Sequence, residues 1–218
     1  MSIKTNLLKI KSQIPSTVTL VAVSKTKPVA DLIEAYEAGQ RIFGENKIQE
    51  MTEKWETMPK DIKWQMIGHV QTNKVKFMAE YVNLIHGVDS LKLLEEIDKQ
   101  AKKHNRIIDC LLQMHIAEEE TKFGLDEQEL NEILNSEAFQ NLKNIKVVGL
   151  MGMATFTDNQ SQIKKEFQNL KRIFNTTRSK DALQCISTLS MGMSGDYQLA
   201  IDCGSTMVRI GSNIFGSR

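Results

Sequence analysis

TLVAVSKTKPVADLIEAYEAG, residues 19–39, holds the unit that decides the fold. Its first part, 19–24, is a β-branched apolar run too short for a helix and long enough for a buried strand. Pro28 then opens a stretch in which Val29, Leu32, Ile33 and Tyr36 share one helical face, and Gly39 supplies the stop. A strand followed closely by a helix is the repeating element of parallel α/β folds.

Outward from there, the same alternation runs through the chain. Ile3, Leu7, Ile10 and Ile14 recur at helical spacing and predict a leading helix before the first strand. Downstream, RIFGEN (41–46) precedes a helix to about Met58, KWQMIGH (63–69) precedes TNKVKFMAEY, and NLIHGVD (83–89) precedes SLKLLEEIDKQAKKHN. IIDCLLQMHI (107–116) is followed by the helical DEQELNEILNSEAFQNL, IKVVGLMGMA (145–154) by SQIKKEFQNLKRIFNTT, and QCISTLSMG (184–192) by DYQLAIDCG. TMVRIG (206–211) closes the series. Eight strands with seven intervening helices and few spare residues predict a (β/α)8 barrel of the TIM type rather than a six-strand doubly wound sheet. No Pro/Gly/Ser-rich linker interrupts the alternation, so residues 1–218 are expected to form a single domain.

With 41% hydrophobic side chains over 218 residues, the chain has enough apolar material for one full core. Lys plus Arg number 28 against 27 for Asp plus Glu, a net charge of +1, which removes any global electrostatic case for nucleic acid. Cys110, Cys185 and Cys203 form no CxxC pair and leave an odd count, as expected for core thiols in a reducing compartment. Lys4, Lys9 and Lys11 break up the first apolar residues, so no signal peptide is expected, and no window reaches the length of a membrane span. The expectation is a cytoplasmic protein without membrane contact.

In barrels of this type the functional face is the rim at the strand C-terminal ends, with phosphate held after strands seven and eight. That rule gathers Lys25 and Asn46 at the exits of strands one and two, Ser190 to Ser194 after strand seven, and Arg209 to Asn213 at strand eight. A rim lysine that is partly desolvated and near another cation, here Lys27, is pushed toward the free amine that attacks a carbonyl. The alternative is an ion pair with a carboxylate from a neighbouring loop. GSTMVRIGSNIFG (204–216) sets glycines and small hydroxyl residues around a strand exit, where backbone N–H groups bind a phosphate dianion and Gly211 permits close approach. A plain closing turn would look similar. An amine facing a phosphate cradle suits a phosphorylated aldehyde or ketone, either pyridoxal 5′-phosphate or a sugar phosphate. His69, His86, His104 and His115 show no metal-ligand spacing, so no metal site is expected. His86 and Asp89 read as a satisfied polar loop after strand four, and Lys99, Lys102, Lys103, His104 and Arg106 as a solvated helix face and exit.

Taken together, AVSKTKP (22–28), FGENKIQE (43–50), IGHVQTNK (67–74), LSMGMSGD (189–196) and STMVRIGSNIFG (205–216) closely resemble the pyridoxal phosphate homeostasis protein family, relatives of the alanine racemase N-terminal barrel. The resemblance covers nearly the whole chain. It implies that Lys25 forms an internal aldimine with pyridoxal phosphate and that Asn46 lies beside the ring. It further implies that Ser190, Met191, Gly211 and Ser212 hold the phosphate, and that Arg209 faces the pyridine nitrogen. Two departures from the family pattern stand out: Gln65 where many relatives have histidine, and Ser212 where threonine is commoner. A guanidinium at the pyridine nitrogen opposes its protonation and makes the ring a poor electron sink, whereas a carboxylate would do the reverse. Arg209 could instead pair with a rim carboxylate. The reading favoured by the resemblance is a monomeric, non-catalytic carrier that supplies pyridoxal phosphate to apo pyridoxal-dependent enzymes. A racemase-like enzyme or a Schiff-base aldolase on a sugar phosphate remains the alternative.

Overall fold

The structure, a computed structural model, describes residues 2–119, 123–179 and 186–216. Eight parallel strands close into a barrel in sequence order, with β8 pairing back on β1. The strands are β1 (Thr19–Val23), β2 (Ile42–Glu45), β3 (Lys63–Met66), β4 (Leu84–Val88), β5 (Ile108–Gln113), β6 (Ile145–Met151), β7 (Thr188–Ser190) and β8 (Met207–Ile210). Helix α1 (Ile3–Gln13) leads the chain, capped by the Ser2 hydroxyl, and buries Leu7 and Ile10. Helix α2 (Val29–Glu37) starts after Pro28, and Gly39, at φ +88°, turns the chain out of it as only glycine does without strain.

The other helices are α3 (Ile48–Thr57), α4 (Leu91–Lys103), α5 (Glu127–Asn135), α6 (Glu137–Gln140), α7 (Gln160–Arg178), α8 (Tyr197–Asp202) and α9 (Ser212–Phe215). Two expectations fail in instructive ways. The segment after β3 forms a 3-10 helix, Thr72–Phe77, that buries only Val75 and has no side-chain cap. The helix expected over 126–142 breaks at Ser136, whose hydroxyl accepts from Phe139 N and restarts the chain as α6. Arg106 is also not part of a solvated face: its guanidinium donates to Ala79 O and Val82 O, closing the segment after the 3-10 helix.

Two apolar layers result. Strand residues such as Phe43, Trp64, Ile85 and Cys110 pack outward against the helices. Val21, Leu84, Leu111, Met151 and Met207 form a separate cluster that fills the lower barrel interior, as interior layers do in this fold. Cys110 is buried, and burial pushes its thiol up; Cys203 is half-buried and shifted the same way. Cys185, expected to be a core thiol, lies outside the described residues, as does the start of the seventh expected strand. Among the described residues no helix is long and apolar enough to cross a membrane.

Candidate functional site

Above the apolar cluster, the barrel interior turns polar. His86, within the expected strand 83–89 but read as part of a satisfied polar loop at its exit, is a fully buried residue of β4. Its Nε2 lies 2.7 Å from Gln65 Oε1 and its Nδ1 3.1 Å from Ser190 Oγ. Because an amide oxygen only accepts, Nε2 carries the proton and Nδ1 is left to accept from the Ser190 hydroxyl. Ser190 Oγ in turn accepts from Arg209 Nη1 at 2.6 Å, and Arg209 Nη2 donates to Gly152 O at 3.1 Å. The chain of donors therefore runs Arg209, Ser190, His86, Gln65, with every step directed the same way. Gln65, the departure noted in the sequence, is its terminal acceptor.

Two charges are shaped by this layer. Burial holds His86 well below the usual histidine range, and the facing Arg209 guanidinium adds to the effect. Arg209 is 4% exposed, and burial pushes it down to about 10 against a weaker pull from Asp196, which leaves it cationic at neutral pH. Its side-chain hydrogen bonds go to a hydroxyl and a carbonyl, not to a carboxylate.

The mouth lies one level higher. Val23 pairs with Gly44, and two residues beyond each of them Lys25 and Asn46 leave the sheet on adjacent strands. Both are half-buried. Val21 pairs with Arg209, so Arg209 enters the barrel below Lys25 on the neighbouring strand. Gly211 follows β8 against β1: a Cβ there would stand 3.1 Å from Val23 O. Its N–H donates to Ser194 Oγ, and Asn213 Nδ2 donates to Ser194 O, joining the β7 and β8 exits. Helix α9 then begins at Ser212 with no side-chain cap. Lys27 donates to Phe215 O and ties the β1 exit to the end of α9.

Of the residues expected at the site, Lys25, Asn46, Arg209, Gly211 and Ser212 meet at this one end of the barrel. Ser190 and Met191 lie beneath it. The Ser190 hydroxyl is engaged by Arg209 and His86, while Met191 is buried with its N–H on Met207 O. Gly152 O and Gly192 O, at the β6 and β7 exits, both accept from Arg209, the first from its guanidinium and the second from its backbone N–H. A cleft of about 560 Å³ opens outward from Asn46 and is lined by Ile48, Thr52, Met66, His69 and Phe77 among others. Lys25, Arg209 and Gly211 do not line it, so it flanks the mouth.

These features accord with the comparisons to known proteins. The sequence model described as Alanine racemase, N-terminal domain, matches residues 1–218. A pyridoxal phosphate homeostasis protein of Haemophilus influenzae is 37% identical over 206 residues, 93% of this chain and 86% of its own. One from Vibrio alginolyticus is 39% identical, covering 100% of this chain and 98% of its own. Among solved structures, PipY of Synechococcus elongatus superimposes with a TM-score of 0.93 without PLP and 0.90 with PLP bound. It shares 33% identity, and each match covers 99% of this chain and 100% of that one. An alanine racemase of Clostridium difficile shares the fold at 15% identity and a TM-score of 0.83, the match covering 60% of that chain.

Proposed function

This chain belongs to the pyridoxal phosphate homeostasis protein family, built on the alanine racemase N-terminal domain, and from that premise we propose that it binds pyridoxal 5′-phosphate at the barrel mouth and supplies it to apoenzymes. The observation that carries the reading is the vertical order of the site. Lys25 and Asn46 leave adjacent strands above a buried cation, Arg209, beside the uncapped start of α9. That donor set fits the cofactor: an amine for the aldehyde, a turn of backbone N–H groups for the phosphate, and a guanidinium rather than a carboxylate for the ring nitrogen.

Bound at the mouth, the cofactor would supply an aldehyde carbon open to a primary amine. Lys25 provides that amine, and Asn46 lies beside the ring. Ser212 holds the phosphate at the α9 turn, where Gly211 permits close backbone approach, and Ser190 and Met191 lie beneath. Arg209 stays cationic and opposes protonation of the ring nitrogen, so the site binds and releases without becoming a strong electron sink.

The test is direct. Purified protein loaded with pyridoxal phosphate should absorb in the visible, and borohydride should fix the cofactor to Lys25 at one equivalent, located by peptide mass spectrometry. Lys25→Ala should remain folded and lose the adduct. A stoichiometric adduct on another lysine would move the site, and none at all would end the proposal.

A further inference from the structure

Lys25 stands in a turn that the chain holds by unusual means. Thr26, a β-branched residue, has φ +64°, a conformation that such residues avoid. Lys27 N closes the turn onto Ser24 O at 3.1 Å. Outside the barrel wall, Lys54 of α3 is only 5% exposed and uses its ammonium three ways. It donates to Ser24 O at 2.8 Å, to Glu45 Oε1 at 2.8 Å and to Glu50 Oε1 at 2.7 Å. Glu45 Oε1 also accepts from Ser24 Oγ, and Glu50 Oε1 from Thr26 N, each at 2.6 Å.

The two residues flanking Lys25 are thus gripped by one ammonium-centred knot. Ser24 is held through its carbonyl and its hydroxyl, and Thr26 through its N–H. Burying Lys54 and Glu45 is costly, and an apolar pair of similar volume would fill the same space between α3 and the sheet. What an apolar pair lacks is the set of directed bonds that hold a backbone in a disfavoured conformation. The position of the Lys25 amine follows from that backbone, and a displacement of about 1 Å at a reacting group can cost on the order of 100-fold.

We propose that Lys54, with Glu45 and Glu50, is a positioning residue for Lys25: the knot fixes the 24–27 turn so that the amine is presented to an aldehyde at the mouth. The inference rests on the pyridoxal phosphate reading above. It assigns the knot to the covalent part of binding and not to the phosphate cradle.

Two ligands separate these parts. Pyridoxal phosphate engages both the amine and the cradle, whereas 4-deoxypyridoxine phosphate, with a methyl group in place of the aldehyde, engages only the cradle. Two variants are needed, because removing one member of a buried pair risks unfolding. Glu50→Ala breaks the Thr26 contact from a carboxylate that is 23% exposed. The double variant Lys54→Met with Glu45→Gln removes both buried charges together. In each, pyridoxal phosphate affinity and the rate of borohydride trapping at Lys25 should fall by about tenfold or more. The affinity for 4-deoxypyridoxine phosphate should change by less than about twofold, and Glu50→Gln, which keeps an acceptor for Thr26 N, should restore trapping. Equal losses for both ligands would make the knot a support for the whole mouth and overturn the proposal, as would unchanged trapping in both variants. If wild-type protein binds neither ligand, it is the cofactor reading that fails, and the positioning role falls with it.

Discussion

At the scale of single residues, His86 makes the most definite claim about solution behaviour. Its ring is enclosed, it accepts from Ser190 through Nδ1, and Arg209 faces it from β8, so the folded protein holds it neutral. A base whose folded pKa is depressed contributes stability that is fully present above its unfolded value, near 6.5, and is lost as pH falls toward the folded value. In that window the unfolded chain binds one more proton than the native one, so unfolding free energy should fall by about 1.4 kcal/mol per pH unit from this group. Denaturant titrations of wild type and His86→Gln between pH 6.5 and about 5 should therefore diverge in slope by roughly one proton. Parallel profiles would mean that His86 titrates alike in both states. The same residue shows where sequence reading stops. HGVDS looks like a loop because a histidine beside a glycine carries no mark of burial, yet it lies within β4 as Gln65 lies within β3 and Ser190 within β7. The available signal was one polar residue embedded in each of several apolar runs, which in a closed barrel collect into one layer.

Elements were legible where local chemistry alone sets them. The strand and helix of 19–39 appear as expected because Pro28 and Gly39 punctuate them, and all eight strands occur in the expected order. Expected strands ran past their ladders at the exits, to 69 against Met66 and to 116 against Gln113, because the rim loops are themselves packed and keep an apolar pattern. The 3-10 helix and the break at Ser136 were missed because each depends on capping and packing that a periodicity does not encode. The α9 turn was foreseen from its glycines and small hydroxyl residues, and it carries a prediction. An acidic residue in a helix's first turn is favourable to the helix, but a carboxylate at the phosphate turn repels a dianion. Ser212→Asp should keep the wild-type thermal midpoint and lose pyridoxal phosphate affinity by about tenfold or more. Pyridoxal lacking the phosphate should bind wild type and variant equally weakly. A variant that retains pyridoxal phosphate as wild type does would place the dianion elsewhere.

For the whole molecule, the barrel stacks an apolar layer, a polar layer holding the buried Arg209 cation, and a mouth bearing the Lys25 amine, and that order bears on what happens to a bound cofactor. Racemisation and decarboxylation need a stabilised carbanion at the α-carbon and a proton donor on each required face. Here the group assigned to the ring nitrogen is a guanidinium that stays charged, and His86, linked to it through Ser190, is sealed below as a neutral acceptor. Its one proton, on Nε2, is already donated to Gln65. On the reading proposed above, the described residues of this polar layer supply neither a carboxylate for the ring nitrogen nor an uncommitted proton, so handover is expected to outpace chemistry. Loaded protein incubated with amino acids in deuterated water should show little α-deuteration, while the same preparation should reactivate an apo pyridoxal-dependent enzyme. Rapid α-deuteration that Lys25→Ala abolishes would reverse the assignment and make the protein an enzyme. Arg209→Glu is the mechanistic control, since a carboxylate at that position favours the protonated ring and strengthens the sink. In a folded and loaded Arg209→Glu variant, α-proton exchange should rise above wild type. An unchanged rate would show that the charge beneath the ring is not what restrains chemistry.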